Sequence, residues 1–216
     1  MKRVKTVSFD VEGTLIDHRF SSLIWERGIP ELYARKEGIG FERAKEHVQR
    51  EYSKIGEEKV EWYDIGYWFK RFGLGDDWRR LLSTYEHEIT VYPEVPGVLE
   101  RLSRKYTLII TSNSTREFIS LEIKKIARYF THVFSATSDF RQVKKNTDFY
   151  SKVCETLGVM PREMIHVGDH QNFDFTVPRN LGIQAFYLDR RGRETGKFVV
   201  RNLTEFEKRI KTAYLT

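Results

Sequence analysis

The chemistry-bearing residues of this 216-residue chain stand at the ends of short apolar runs. Val4, Thr6, Val7 and Phe9 form a β-branched and aromatic run that predicts a buried strand, with Asp10 and Glu12 at its mouth. Gly13 then permits a sharp turn that a Cβ would resist. In an open α/β sheet ligands bind at the carboxyl ends of the strands, so this is a candidate catalytic edge. Taken alone, it describes an ordinary turn equally well. Two later runs end in the same manner: Leu108-Ile109-Ile110 leads into Thr111-Ser112-Asn113-Ser114, and Met164-Ile165-His166-Val167 leads into Gly168-Asp169-His170, with Asp174 following. Between them lies the pair Lys144-Lys145. The set combines carboxylates able to attack or to move protons, hydroxyl and amide donors, and an ammonium to offset negative charge.

In this order the clusters resemble the motifs of the haloacid dehalogenase superfamily, a large group of mostly phosphate-transferring hydrolases. Those motifs are Asp-x-Asp-x-Thr after the first strand, a Ser or Thr after the second, a Lys, and Gly-Asp-x-x-x-x-Asp. The likeness spans nearly the whole chain. It implies a Rossmann-like parallel-sheet α/β core with a helical cap between the first and second motifs. It also implies Mg²⁺-dependent hydrolysis of a small phosphorylated metabolite through an aspartyl phosphate on Asp10. By resemblance the Mg²⁺ ligands are the Asp10 side chain, the Glu12 backbone carbonyl and Asp169, with Asp174 acting directly or through water. Ser112 and Asn113, with backbone amides near Gly13, would hold the phosphoryl oxygens, Thr111 being the alternative hydroxyl. Lys144 would balance the charge; counting back from the helix end at Leu157-Gly158 favours it over Lys145.

Glu12 departs from the pattern, because family phosphatases generally carry Asp there as the acid that protonates the leaving oxygen and then activates water. Glu is one methylene longer. The change is either accommodated by a shifted backbone, which is the preferred reading, or slows turnover, or marks a protein that binds a phosphorylated ligand with little catalysis. A metal-independent 2-haloacid dehalogenase is the other alternative; that branch typically lacks an acid at this position, and Asp169 and Asp174 argue against it. His166 alternates with apolar residues and reads as a satisfied core histidine, and His170 is a poor ligand for Mg²⁺.

A net charge of +6 and a pI near 9.3 favour anionic ligands. Lys and Arg are interspersed with Glu, so nucleic acid ranks well below a phosphorylated metabolite. No apolar run approaches a membrane span, and Met1-Lys2-Arg3 leads into a strand, which predicts a cytoplasmic protein. The single cysteine, Cys154, falls in a helical run as a small hydrophobe.

The elements that must position these residues follow from periodicity. Residues 1–16 and 91–216 alternate strand and helix patterns, which predicts a parallel sheet covered on both faces. Residues 17–90 repeat apolar residues at helical spacing, as in Trp62, Ile65, Phe69 and Phe72, and predict a separate helical cap. All four tryptophans lie in this segment. Most are expected to build its core, one or two to face a substrate, and exposed aromatics could also serve a dimer. Ser114-Thr115-Arg116-Glu117 reads as a capping box opening the helix that carries Phe118, Leu121, Ile123 and Ile126.

Overall fold

Among the described residues, 4–214, the computed structural model of the protein forms a parallel six-stranded sheet. The basic start, Met1-Lys2-Arg3, lies outside them. The strands are β1 (Thr6–Phe9), β2 (Thr107–Ser112), β3 (His132–Ser135), β4 (Met164–Gly168), β5 (Gln184–Leu188) and β6 (Val199–Val200), in the order β3-β2-β1-β4-β5-β6. Val7, Ile109, Ile165 and Val167 are fully buried, as expected where helices cover both faces of a parallel sheet. The order reverses beside β1, so the tips of β1, β2 and β4 lie together at a topological switch point.

Helices α1 (Arg19–Leu23), α2 (Ile29–Glu37), α3 (Phe41–Ile55), α4 (Ile65–Phe72) and α5 (Trp78–Tyr85) occupy the segment between β1 and β2. A π-helical turn, Ile24–Gly28, joins the first two. The segment leaves and rejoins the sheet side by side: Asp17 N donates to Thr90 O and Tyr92 N to Leu15 O, both at 3.1 Å. Trp68 is completely buried, stacked on Phe72 and met edge-on by Tyr52 at 4.6 Å. Trp25 instead stacks on Phe118 of the β2-side helix at 5.5 Å, tying the segment to the sheet. Of the four tryptophans only Trp68 is fully buried, while Trp25, Trp62 and Trp78 are half-buried, so fewer are enclosed than expected.

The remaining helices are α6 (Val95–Ser103), α7 (Arg116–Glu122), α8 (Ala136–Phe140), α9 (Thr147–Leu157), α10 (Val177–Asn180) and α11 (Leu203–Tyr214). The expected capping box is not formed: Thr115 caps α7 without a side-chain bond, and the Ser114 hydroxyl turns to Glu12 at 3.4 Å. Among the described residues no helix is long and apolar enough to cross a membrane. Cys154 is buried in α9 and has no disulfide partner.

Candidate active site

Asp10 follows β1, and Asp169 and Asp174 follow the adjacent β4, so parallel pairing alone brings the three acids to one edge. Each can offer an oxygen within 4.8 Å of the other two. Two glycines make this approach possible. A Cβ at Gly13, whose φ is +72°, would sit inside the Asp169 carboxylate, and one at Gly168 would collide with Asp174. Arg190 fixes the intervening loop by donating to Gly13 O at 3.0 Å and Thr14 O at 2.7 Å, while its guanidinium lies 3.5 Å from the Tyr92 ring centroid.

The lysine that reaches this cluster is Lys145, which corrects the expectation for Lys144. Lys145 is buried, with Nζ 2.5 Å from both Asp10 Oδ1 and Asp174 Oδ1 and 3.2 Å from Thr111 O. Lys144 takes a positive φ of 71° and points the other way, pairing with Glu58 and, at 3.5 Å, with Glu57 of the helical segment. Consecutive residues across such a bend present their side chains to opposite sides. Asn146 then caps α9 by accepting from Phe149 N at 2.9 Å, which pins Lys145 in place.

Asp174 already accepts from three protein donors. Oδ1 receives Lys145 and His166 Nε2 at 3.0 Å, and Oδ2 receives His170 N at 3.0 Å. Of the expected metal set, Asp174 carries the most protein donors, while Asp10 contacts Lys145 and Asp169 contacts His18. His166 is the satisfied core histidine expected. An ionised Asp174 only accepts, so Nε2 carries the proton and Nδ1 accepts from Ser8 Oγ at 2.9 Å. The His170 ring faces inward on its own turn, with Nδ1 accepting from Asn172 N and Phe173 N.

Burial pushes Asp10 up to about 8 despite the pull of Lys145, and Asp174 and Asp169 add to the rise. Burial would also raise Asp174, but Lys145 and the His166 bond outweigh it and hold that carboxyl well below its usual range. Three acids face one ammonium, with His18 Nε2 3.3 Å from Asp169 Oδ2, and the carboxylates among them offer oxygen ligands. That set fits a hard divalent cation such as Mg²⁺.

Ser112 ends β2 with its Oγ accepting from Ser114 N at 3.1 Å, whereas the Thr111 hydroxyl is consumed within the sheet by Ser8 at 2.8 Å. Ser112 is therefore the hydroxyl at the tip. Beside it Asn113 Oδ1 is buried without a partner. Glu12 is half-buried and raised, first by burial, with its Oε1 also unpartnered. Behind it stands Glu122 of α7, a completely enclosed acid that sequence reasoning missed. Its signal was legible: Glu122 lies four residues after Phe118 on the buried stripe of its helix. Burial pushes Glu122 well above the usual carboxylate range, and Glu12 and Asp10 push it further.

A protonated Glu122 can donate to Glu12 and so hold the longer acid in place. Because the folded chain then keeps a proton that the unfolded chain releases above about pH 4.5, stability falls as pH rises beyond that point. Glu122→Gln is accordingly expected to match the parent melting temperature near pH 4.5 and exceed it toward pH 8, by a few degrees in order of magnitude. Thermal melts across that range check this; a variant that loses ground as pH rises contradicts the buried proton.

A cavity of about 540 Å³ opens from Glu12 and Asn113 towards the helical segment, walled by Trp25, Tyr52, Trp62, Tyr63 and Phe118. Comparison with known proteins agrees with this geometry. Residues 4–182 match the family model described as haloacid dehalogenase-like hydrolase. The GMP/IMP nucleotidase YrfG of Escherichia coli (strain K12) is 23% identical over 78% of this chain and 75% of its own. The pyrophosphatase PpaX of Bacillus cereus (strain B4264) is 30% identical over 85% and 82%, and the glyceraldehyde 3-phosphate phosphatase of Pyrococcus furiosus 24% identical over 95% and 92%. The crystal structure of a HAD phosphatase from Thermococcus onnurineus superposes with a TM-score of 0.82 at 27% identity, covering 96% of this chain and 98% of that one. A 2-haloacid dehalogenase from Pseudomonas syringae pv. Tomato DC3000, 18% identical with a TM-score of 0.72, shares the fold. The chain belongs to the haloacid dehalogenase-like hydrolases.

Proposed function

We propose that the protein is a Mg²⁺-dependent phosphatase that hydrolyses a small phosphorylated metabolite through a phosphorylated Asp10. The observation that carries this reading is the buried Asp10–Lys145–Asp174 arrangement beside Asp169, at the tips of adjacent strands. A carboxylate and a phosphate dianion repel one another, and a single lysine does not offset both. The side chains of Asp10 and Asp169 and the Glu12 carbonyl, supported by Asp174, would hold Mg²⁺, and the ion would supply the missing charge.

Asp10 attacks phosphorus, and the bond to the leaving oxygen breaks as the aspartyl phosphate forms. Glu12, whose carboxyl burial pushes up, gives its proton to that oxygen; it then takes one from the water that hydrolyses the aspartyl phosphate. Ser112, Asn113 and Lys145 hold the phosphoryl oxygens. The longer Glu12 is accommodated with its carboxyl accepting from Ser114 at 3.4 Å and the enclosed Glu122 behind it. Residues 17–90 serve as a cap over the core formed by 1–16 and 91–216, closing the substrate cavity against water.

Hydrolysis of p-nitrophenyl phosphate with Mg²⁺, its loss on chelation, and the absence of chloride release from a 2-haloacid are the expected results. Metal-independent chloride release would replace this reading with the dehalogenase one. Gly13→Ala is expected to reduce turnover by about 10²-fold or more, because the new Cβ displaces Asp169 from the cluster. Activity titrated against Mg²⁺ should show a raised requirement for the ion. An unchanged Mg²⁺ profile would separate Asp169 from metal binding.

A further inference from the structure

The cavity beside Glu12 differs in charge from the protein around it. Despite the net charge of +6, its wall contains no lysine, arginine or histidine among the described residues, and it does contain Glu12 and Glu26. The nearby cations are engaged: Lys145 by Asp10 and Asp174, and Lys144 by Glu58 and Glu57. Arginines gather instead in a second cavity of about 550 Å³ beside Gly13 and Asp169, lined by Arg190, Arg191, Arg193 and Arg201. A carboxylate or second phosphate on the leaving group would enter the first cavity without a cationic partner and facing the Glu26 carboxylate.

The wall also indicates what would be accepted. Five aromatic side chains surround a space far larger than a two- or three-carbon alcohol needs. Trp62 and Tyr63, on the short 3₁₀ turn Val60–Tyr63, are half-buried and present ring surface to it. Asn113 Oδ1 is a buried acceptor lacking a donor, and Thr115 Oγ1 on the same wall has no partner either. Flat rings bearing N–H groups satisfy both the aromatic wall and the unpaired acceptor.

We propose that the substrate is a monophosphate ester whose leaving group carries a flat, nitrogen-bearing ring and no second anionic group, a description that nucleoside monophosphates meet. This rests on the phosphatase reading and narrows it. Of the three substrates named by the relatives, it favours the ring-bearing monophosphate over pyrophosphate and over glyceraldehyde 3-phosphate.

The test compares kcat/KM for guanosine 5′-monophosphate, glyceraldehyde 3-phosphate, 3-phosphoglycerate and pyrophosphate, with p-nitrophenyl phosphate as the reference, all with Mg²⁺. The nucleotide is expected to exceed the other three metabolites by about tenfold or more, the scale of one lost stacking contact. Trp62→Ala should lower the nucleotide value about tenfold through KM while leaving glyceraldehyde 3-phosphate within about twofold. Gln49→Lys, at an exposed position on the cavity rim, should raise pyrophosphate and 3-phosphoglycerate relative to the nucleotide. No turnover of the aryl phosphate overturns the phosphatase reading and this inference together. Aryl phosphate turnover accompanied by equal or better use of pyrophosphate, 3-phosphoglycerate or glyceraldehyde 3-phosphate overturns the inference alone, as does a Trp62→Ala effect equal for all substrates.

Discussion

Asp10→Asn is expected to lower phosphatase turnover by about 10⁴-fold or more, in the range seen when a covalent nucleophile is removed, while the chain stays folded. An amide does not attack phosphorus, so no phosphoenzyme forms. Substrate affinity should hold or improve, since one carboxylate no longer repels the phosphate. Stability supplies an independent readout. Asp10 is raised from an ordinary value of 3.8 to about 8, first by burial, so the folded metal-free protein retains a proton that the unfolded chain loses above about pH 4. Stability contributed by that group is complete below the unfolded value and declines as pH rises through the folded one. Metal-free Asp10→Asn should therefore gain on the parent between pH 4 and pH 8. Mg²⁺ should raise the parent melting temperature at pH 8 more than that of the variant, because one direct ligand is missing. Rapid-quench labelling with a phosphorylated substrate checks the chemistry; a phosphoenzyme that survives Asp10→Asn would move the nucleophile elsewhere.

What sequence could reveal about this site depended on the range of the interactions involved. The order of Asp10, Ser112 and Asp169 was readable because each ends an apolar strand, and parallel pairing of β1 with β2 and β4 carries such ends to one edge. Lys144 and Lys145 are chemically alike and adjacent, and only the local backbone distinguishes them. The left-handed φ of Lys144 sends one ammonium to Glu58 and the other to Asp10, and a strandless loop gives no periodicity from which to count. Ser114 looked like a helix cap because its neighbours fit that local pattern, but the Glu12 carboxyl, 102 positions away in sequence, competes for its hydroxyl. Glu122 was passed over because an acid among Phe118, Ile119 and Ile123 is ordinarily solvent-facing; its place on the buried stripe outweighed its residue type. That one or two of the aromatics of residues 17–90 face a substrate was foreseen, but not which ones. Which of them pack, as Trp68 does, and which line a cavity, as Trp62 does, depends on how the helices between β1 and β2 meet α7.

Replacing each lysine of the 144–145 pair in turn should give opposite results. Lys145→Ala removes the one ammonium that contacts Asp10 among the described residues and leaves the Asp10 and Asp174 carboxylates buried against one another. Burial alone would lower the Lys145 pKa, but these two acids outweigh it and favour the charged ammonium. Turnover is expected to fall by about 10³-fold, as when a preorganised group stabilising the transferred oxyanions is lost. Metal-free thermal stability should drop as well, since an uncompensated buried carboxylate is destabilising by roughly 3–5 kcal/mol. Lys144→Ala should leave the rate at saturating substrate within about threefold, the effect of an exposed ion pair being small. Its pairing with Glu58 and Glu57 joins the α9 loop to the helical segment, so the change should appear in KM and weaken further as salt screens the parent. Steady-state kinetics of both variants at low and high ionic strength decide between the two residues. A turnover defect in Lys144→Ala that matches Lys145→Ala would mean that the loop exchanges its lysines during the reaction, and the assignment of Lys145 to the phosphoryl group would fail.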